Sequence, residues 1–297
     1  MQFNRQAIAI IGATAATTAL KIEGLRIAFE IEKSSSPQPQ KMMLRIYNMS
    51  VRKYSQPKYE FDGVRLDAGY AGDIRTVFNG TIKSVTHYHE GPNNVTEVAA
   101  GDGDALFLNA IVNIPMSSGA TARDIIGKLP LKISGITEGD TINVDEKKRL
   151  RGSVVSGTVR SVLDTIAKDA GARWFIQDGF LYIVGKDNFI PSPVTEVNSQ
   201  TGMLTTPVVT ETGIVAKTLL NPGLIVGGRI KLDNDVIRQK TIAERRSKGA
   251  VDPDDESDEP TVDTRTSSDG IYTIHKIEHR GDTHGADWYS EVTVLAN

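Results

Sequence analysis

TIHKIEHRGDTHGADWYSEV, residues 273–292, holds three of the chain's five histidines, His275, His279 and His284, beside Asp282 and Asp287. Taken alone it reads either as a metal or catalytic cluster or as two strands around a glycine-containing turn. A second stretch, TIKSVTHYHEGPNNVTEV at 81–98, bears on the choice. Both begin Thr-Ile, Val85 matches Ile277, and His87 matches His279. Both end in a hydroxyl residue followed by Glu-Val, Thr96-Glu97-Val98 against Ser290-Glu291-Val292. The offset is 192 residues at the start and 194 at the end, so the second turn is two residues longer. Upstream, Arg65-Leu66-Asp67 resembles Lys231-Leu232-Asp233. The spacing to the Thr-Ile strand is 14 residues in the first copy and 40 in the second, and the extra length holds an acidic segment. Internal repeats dictate architecture, so the chain is read as one β-unit used twice.

The rest of the chain fits this frame. LRIAFEIEK, 25–33, puts Leu25, Ile27, Phe29 and Ile31 on one face, the period-two pattern of a half-buried strand. SSSPQPQ, 34–40, is a loop, and further strands follow at 42–49, 63–72 and 76–103. Asn79-Gly80 is a hairpin-type dipeptide and GPNN at 91–94 a turn signal. After about residue 110 the character changes. TARDIIGKL, 121–129, is a helix capped by Thr121 and stopped by Pro130. GTVRSVLDTIAKDA, 157–170, places Val159, Val162, Leu163, Ile166 and Ala170 on one helical face, with Gly171 where a left-handed cap wants glycine. RWFIQDGFLYIVGK, 173–186, is a hairpin around Asp178-Gly179, and PSP at 191–193 is an exit linker. From about 195 the chain returns to β.

The expected fold class is therefore α+β, mainly β: two similar small β-barrel domains separated by a small α+β domain. The boundaries are 1–108, 109–193 and 194–297, with an acidic loop at about 245–268. A length of 297 residues suits two or three domains rather than one core. In AVDPDDESDEPTVD, 250–263, seven of fourteen residues are acidic and almost none apolar, the composition of a solvated loop. It lacks the ligand spacing of a compact calcium loop. Its deletion is expected to leave folding intact.

Function is narrowed mostly by exclusion. Net charge is −3, which argues against wrapping nucleic acid; a pore through which nucleic acid slides without sticking tolerates that balance. A single-strand binder is disfavoured, because no basic groove with interleaved aromatics is visible. With no cysteine, disulfides and cysteine-type zinc sites are excluded. AIAIIGATAATTAL, 7–20, faintly resembles a signal-peptide core, but it is too short and polar to span a bilayer and leads into an alternating strand. No nucleophile elbow, phosphate loop or zinc-protease motif is present. GDGD at 101–104 reads as a turn between domains, and Trp174 and Trp288 as packing residues. On a strand His275 and His279 lie about 13–14 Å apart, too far for one zinc ion. His275, His279 and His284 therefore remain only weak metal candidates, no catalytic residue or cofactor is assigned, and Arg280-Gly281-Asp282 is discounted as an adhesion tripeptide.

Six stretches in order carry a resemblance: IYNMS at 46–50, VRLDAGYAG at 64–72, VFNGTIKSV at 77–85, TEVAAGDGD at 96–104, LLNPGLIVGGRIKLDN at 219–234 and GIYTIHKIEHRGDTHGADWYSEV at 270–292. Together they resemble the baseplate hub proteins of contractile-tailed bacteriophages. The resemblance implies two tail-tube-like barrels per chain and a homotrimeric ring of pseudo-sixfold symmetry. That ring would join a tail-tube or tube-initiator protein to a central spike among other baseplate proteins. DNA would pass through the lumen unbound. The part would be non-enzymatic, without a membrane anchor, assembled in the host cytoplasm and carried in the virion. The acidic insertion departs from that pattern. Three alternatives stay open: a hub-associated cell-wall hydrolase, a histidine-metal hydrolase, and a secreted β-rich adhesin.

Overall fold

The computed structural model describes residues 4–12, 19–50, 62–102, 111–129, 136–142, 144, 147–185, 188–233, 237, 267 and 269–296. The acidic segment 250–263, Pro130 and residues 103–104 of the GDGD stretch lie outside the described residues.

The chain is mainly β. The first repeat supplies β1 (Arg5–Gly12), β2 (Ala19–Ile22), β3 (Ile27–Ser34), β4 (Gln40–Tyr47), β5 (Gly63–Tyr70), β6 (Asp73–Glu90) and β7 (Asn93–Asp102). The middle segment supplies β8 (Ile111–Met116), α1 (Ala122–Ile126), β9 (Thr137–Ile142), β10 (Ser153–Thr158), α2 (Val159–Asp169), β11 (Ala172–Gln177) and β12 (Phe180–Gly185). The second repeat supplies β13 (Thr195–Val197), β14 (Met203–Thr210), β15 (Gly213–Leu219), β16 (Arg229–Leu232), β17 (Ile271–Asp282) and β18 (Trp288–Ala296).

The two repeats are not separate sheets. One 13-stranded sheet runs β14-β15-β18-β17-β3-β4-β7-β6-β5-β1-β2, with β13 and β16 branching from β17. The join is antiparallel pairing of β17 with β3, from Lys276↔Ser34 to Asp282↔Ala28. Among the described residues the strand pairing does not close into a ring, so the expected closed barrels are absent from the ladder itself. The sheet nonetheless rolls. Six places along the order from β17, Arg5 of β1 donates to the Gly285 carbonyl in the β17–β18 turn at 2.8 Å. That curl lets one face of β1 to β7 bury Ile11, Ile27, Phe29, Ile31, Leu44, Ile46, Leu66 and Phe78 in a single cluster.

Local chemistry explains the middle elements. Thr121 and Asp124 form a reciprocal capping box at α1. Thr158 caps α2, which buries Val159, Val162, Leu163, Ile166 and Ala167; Gly171, at φ +58°, turns the chain away. Ala170 is the half-buried cap rather than a core position. Asp178 and Gly179 both adopt positive φ, 54° and 85°, as the two-residue turn requires. The β11–β12 hairpin is buried on both faces: Trp174, Ile176, Leu181 and Ile183 pack on α2, while Phe175 and Val184 join the core of the second repeat. Two-sided burial accounts for its unbroken apolar runs. Trp174 also donates its indole N–H to Asp164 at 2.8 Å.

Two sequence readings need correction. Asn79-Gly80 is not a turn; it lies inside β6, where Gly80 pairs with Val64. Glycine is required there by close approach, since a Cβ would come within 2.5 Å of the Gly101 carbonyl oxygen. The real turn is Gly91-Pro92, and Asn93 and Asn94 already belong to β7. The residues of 7–20 that are described form strands β1 and β2.

Candidate functional site

The duplicated hairpins carry the same backbone irregularity at the same place. The register of β6 on β7 shifts between Ile82 and Ser84, and that of β17 on β18 between Ile274 and Lys276. His87 faces Thr96 and His279 faces Ser290. Each imidazole Nδ1 meets the opposite hydroxyl, at 3.1 Å and 2.8 Å respectively. The preceding strands agree too: Arg65 pairs with Asn79 as Lys231 pairs with Ile271. β4 lies beside β7 with Arg45 opposite Glu97, and β15 beside β18 with Lys217 opposite Glu291. A bulge costs ladder pairing, so its recurrence in register is a stronger sign of duplication than the letters are.

The three candidate histidines do separate jobs. His275 sits at the bulge and shares a hydrogen bond with Ser35 Oγ. Burial first, and the nearby Arg173 charge second, hold it below the usual histidine range. His279 is 1% exposed, between β3 and β18. Burial, helped by the charge of Lys33, pushes it down to about 3. His284 is exposed in the turn and meets Thr283 Oγ1 at 3.0 Å. Among the described residues no three His, Asp or Glu side chains are grouped as a metal site needs. The Arg-Gly-Asp triplet is tied into the sheet. Arg280 pairs with Glu30 at 2.6 Å, and Asp282 pairs with Arg26 at 2.7 Å. Burial alone would raise the Asp282 carboxyl, but Arg26 and the backbone N–H groups of His284 and Gly285 carry it below the carboxylate range.

The seam between the repeats concentrates charge. On its exposed face Lys276 bridges Glu32 and Glu278 at 2.9 and 2.7 Å, beside the Arg280–Glu30 pair. Such pairs are each worth about 0–1 kcal/mol, so they set register more than stability. The inward face carries Lys33, 3% exposed, whose ammonium is held by both Asp178 oxygens at 2.8 and 2.7 Å. Asp102, also 3% exposed, accepts the Gly179 N–H at 3.0 Å. Burial raises its carboxyl to about 7, against the pull of that N–H. Gln40 donates to the Ile176 carbonyl at 2.7 Å, and Gln177 accepts from Val226 N–H at 3.0 Å. One hairpin, β11–β12, is therefore clamped to both repeats.

At the level of sequence family, the model for baseplate hub gp41 matches residues 14–237. The chain belongs to this baseplate hub family. No curated protein sequence matches it. In solved structures the chain resembles the 43 kDa tail protein of prophage MuSo2 from Shewanella oneidensis, with TM-score 0.58 and 10% identity over 98% of this chain and 97% of that one. It also resembles a tail protein from Neisseria meningitidis MC58, with TM-score 0.59 and 10% identity over 99% and 97%. A third is the Escherichia coli c3393 protein, described as a type VI secretion component similar to T4 tail proteins gp27 and gp5, with TM-score 0.53 and 10% identity over 92% and 73%. At such identities the likeness is one of fold.

The sequence placed its histidines correctly on a strand and a turn but gave no sight of the clamp. One signal was available. Ile27, Phe29 and Ile31 share the inward face of β3, and the next residue on that face is Lys33. A lysine on a core face demands a buried partner, and the partner turned out to be the Asp178 of a turn read only as a turn.

Proposed function

We propose that this chain is the structural hub of a contractile phage baseplate and works as a homotrimeric ring. Each chain contributes two tube-like units, residues 1–108 and 194–297, with 109–193 between them. Three chains then offer six similar units to the tail tube, or a tube-initiator protein, and threefold symmetry to the central spike. DNA passes through the lumen without specific binding, the hub assembles in the host cytoplasm, and it acts as a scaffold rather than an enzyme. The observation that carries this reading is the duplication, with its matched bulges and matched His–hydroxyl pairs. Two quasi-equivalent units on one chain are what a threefold assembly needs to present a sixfold face. Native mass spectrometry of the purified protein, with and without chelator, tests it. A metal-free species of three 32.3 kDa chains is expected; a monomer carrying chelatable metal would refute the structural reading and favour a histidine-metal hydrolase.

A further inference from the structure

The two repeats are alike, but their edges are not equally used. In the second repeat β17 pairs twice along the side away from β18: Ile271–Thr273 with β16, then Lys276–Asp282 with β3 of the first repeat. In the first repeat the equivalent strand is β6, displaced by 192 residues. Its early part pairs with β5 as far as Thr81. Beyond that, Ser84–Glu90 has β7 on one side and, among the described residues, no strand on the other. The counterpart of β3 is found the same way. β4 corresponds to β15, since Arg45 faces Glu97 where Lys217 faces Glu291. The hairpin partner of β4 is β3 and that of β15 is β14. β14 ends the sheet, with no strand on its outer side among the described residues. The two free edges are thus the same two edges that, taken from the opposite repeats, are joined inside the chain.

We propose that β6 of one chain and β14 of the next pair antiparallel, repeating between chains the β17–β3 join made within each chain. This rests on the ring reading above and supplies its interface. A heterologous contact of this kind closes into a ring when its rotation divides a full turn. Transferring the internal register gives the pairing. Glu278, His279 and Arg280 face Glu32, Ile31 and Glu30, so Thr86, His87 and Tyr88 face Thr210, Val209 and Val208 of the neighbouring chain. The edge chemistry fits. Strand edges that avoid partners carry lysine, proline or inward charge, whereas Ser84–Glu90 reads SVTHYHE, with neither lysine nor proline. Tyr88 is 36% exposed, and it would pack across from Val208 where the internal join has Arg280 across from Glu30. Pro207 has no N–H to give, which limits the ladder to Val208 onward.

Since the chain has no cysteine, paired cysteines test the register directly. Y88C/V208C should link chain to chain under mild oxidation and run as a covalent trimer on a denaturing gel, reversibly by reductant. T86C/T210C, on the same face, should behave alike. Y88C/V209C, slipped by one residue so that the thiols point to opposite faces, should link at least tenfold less. Native mass spectrometry of the unoxidised variants runs alongside. A trimer in which in-register and slipped pairs link equally poorly overturns the β6–β14 pairing and leaves the ring standing. Neither trimer nor linkage overturns both. Open-ended linked oligomers without a closed trimer support the edge pairing and refute the threefold ring.

Discussion

Replacing His279 with Gln should unmask a gain of stability on acidification that the wild-type protein hides. Two buried groups titrate in opposite senses. His279 holds at about 3 when folded, below its ordinary 6.5. The unfolded chain therefore takes up the proton first, and the stability that neutral His279 contributes above pH 6.5 is lost as pH falls from 6.5 towards 3. Each pKa unit is worth about 1.4 kcal/mol, so going from pH 7.5 to 5 costs the folded state about 2 kcal/mol through His279. His275, also lowered by burial, adds to that direction. Asp102 holds at about 7 when folded, above its ordinary 3.8. The folded chain takes up that proton first, so stability is fully present below pH 3.8 and is lost as pH rises through 7. The same step from pH 7.5 to 5 returns about 2–3 kcal/mol. The wild type should therefore show a shallow profile, with two opposed slopes hidden in it. H279Q, whose amide can still meet Ser290, should become more stable on acidification, and D102N less stable. The assay is urea unfolding at fixed protomer concentration across that range, read as midpoint times slope. Parallel pH profiles for wild type and both variants would refute the burial and partner assignments behind both values.

Other expectations follow from packing. K33M keeps the buried stem but leaves Asp178 without its ammonium and Asp102 without its nearest cation; a loss of about 3 kcal/mol is expected, at the low end for breaking a buried pair because Asp178 is 26% exposed. Denaturation showing less than about 1 kcal/mol would mean that Lys33 is not a clamp. G80A should cost about 1–3 kcal/mol, since its Cβ meets the Gly101 carbonyl oxygen and the Phe78 ring, and thermal unfolding unchanged from wild type would refute that close approach.

What could be read from the letters was local. The Asp178-Gly179 turn, the Thr121 and Thr158 caps and the Gly171 terminus are each decided within a few residues, so their signals survive in the sequence. Asn79-Gly80 misled because a turn dipeptide needs positive φ, and here the strand runs through it for 18 residues. The single rolled sheet was out of reach for a different reason. It depends on β17 meeting β3, a contact between residues about 245 positions apart, and no local pattern distinguishes a strand that finds such a partner from one that remains an edge. The Lys33–Asp178 clamp spans 145 positions and was hidden likewise, though its lysine on a core face was visible.

The contrast between the two joins has a physical consequence. The β17–β3 join is tethered, so its strands meet at a high effective concentration and weak exposed ion pairs suffice to fix its register. A join between chains has no tether and must supply its own affinity. It needs apolar burial, which salt does not screen, and it gains by presenting an edge without the charges that guard against strand addition. The first repeat has that edge at Ser84–His89, with Tyr88 exposed, and the second has Val208 half-buried on the opposite face from the core residue Val209, on the end strand of the sheet. The two copies of the unit thus differ in chemistry where they would do different work. Charge accumulates at the seam that the chain closes by itself, and apolar groups at the edges it leaves for another copy.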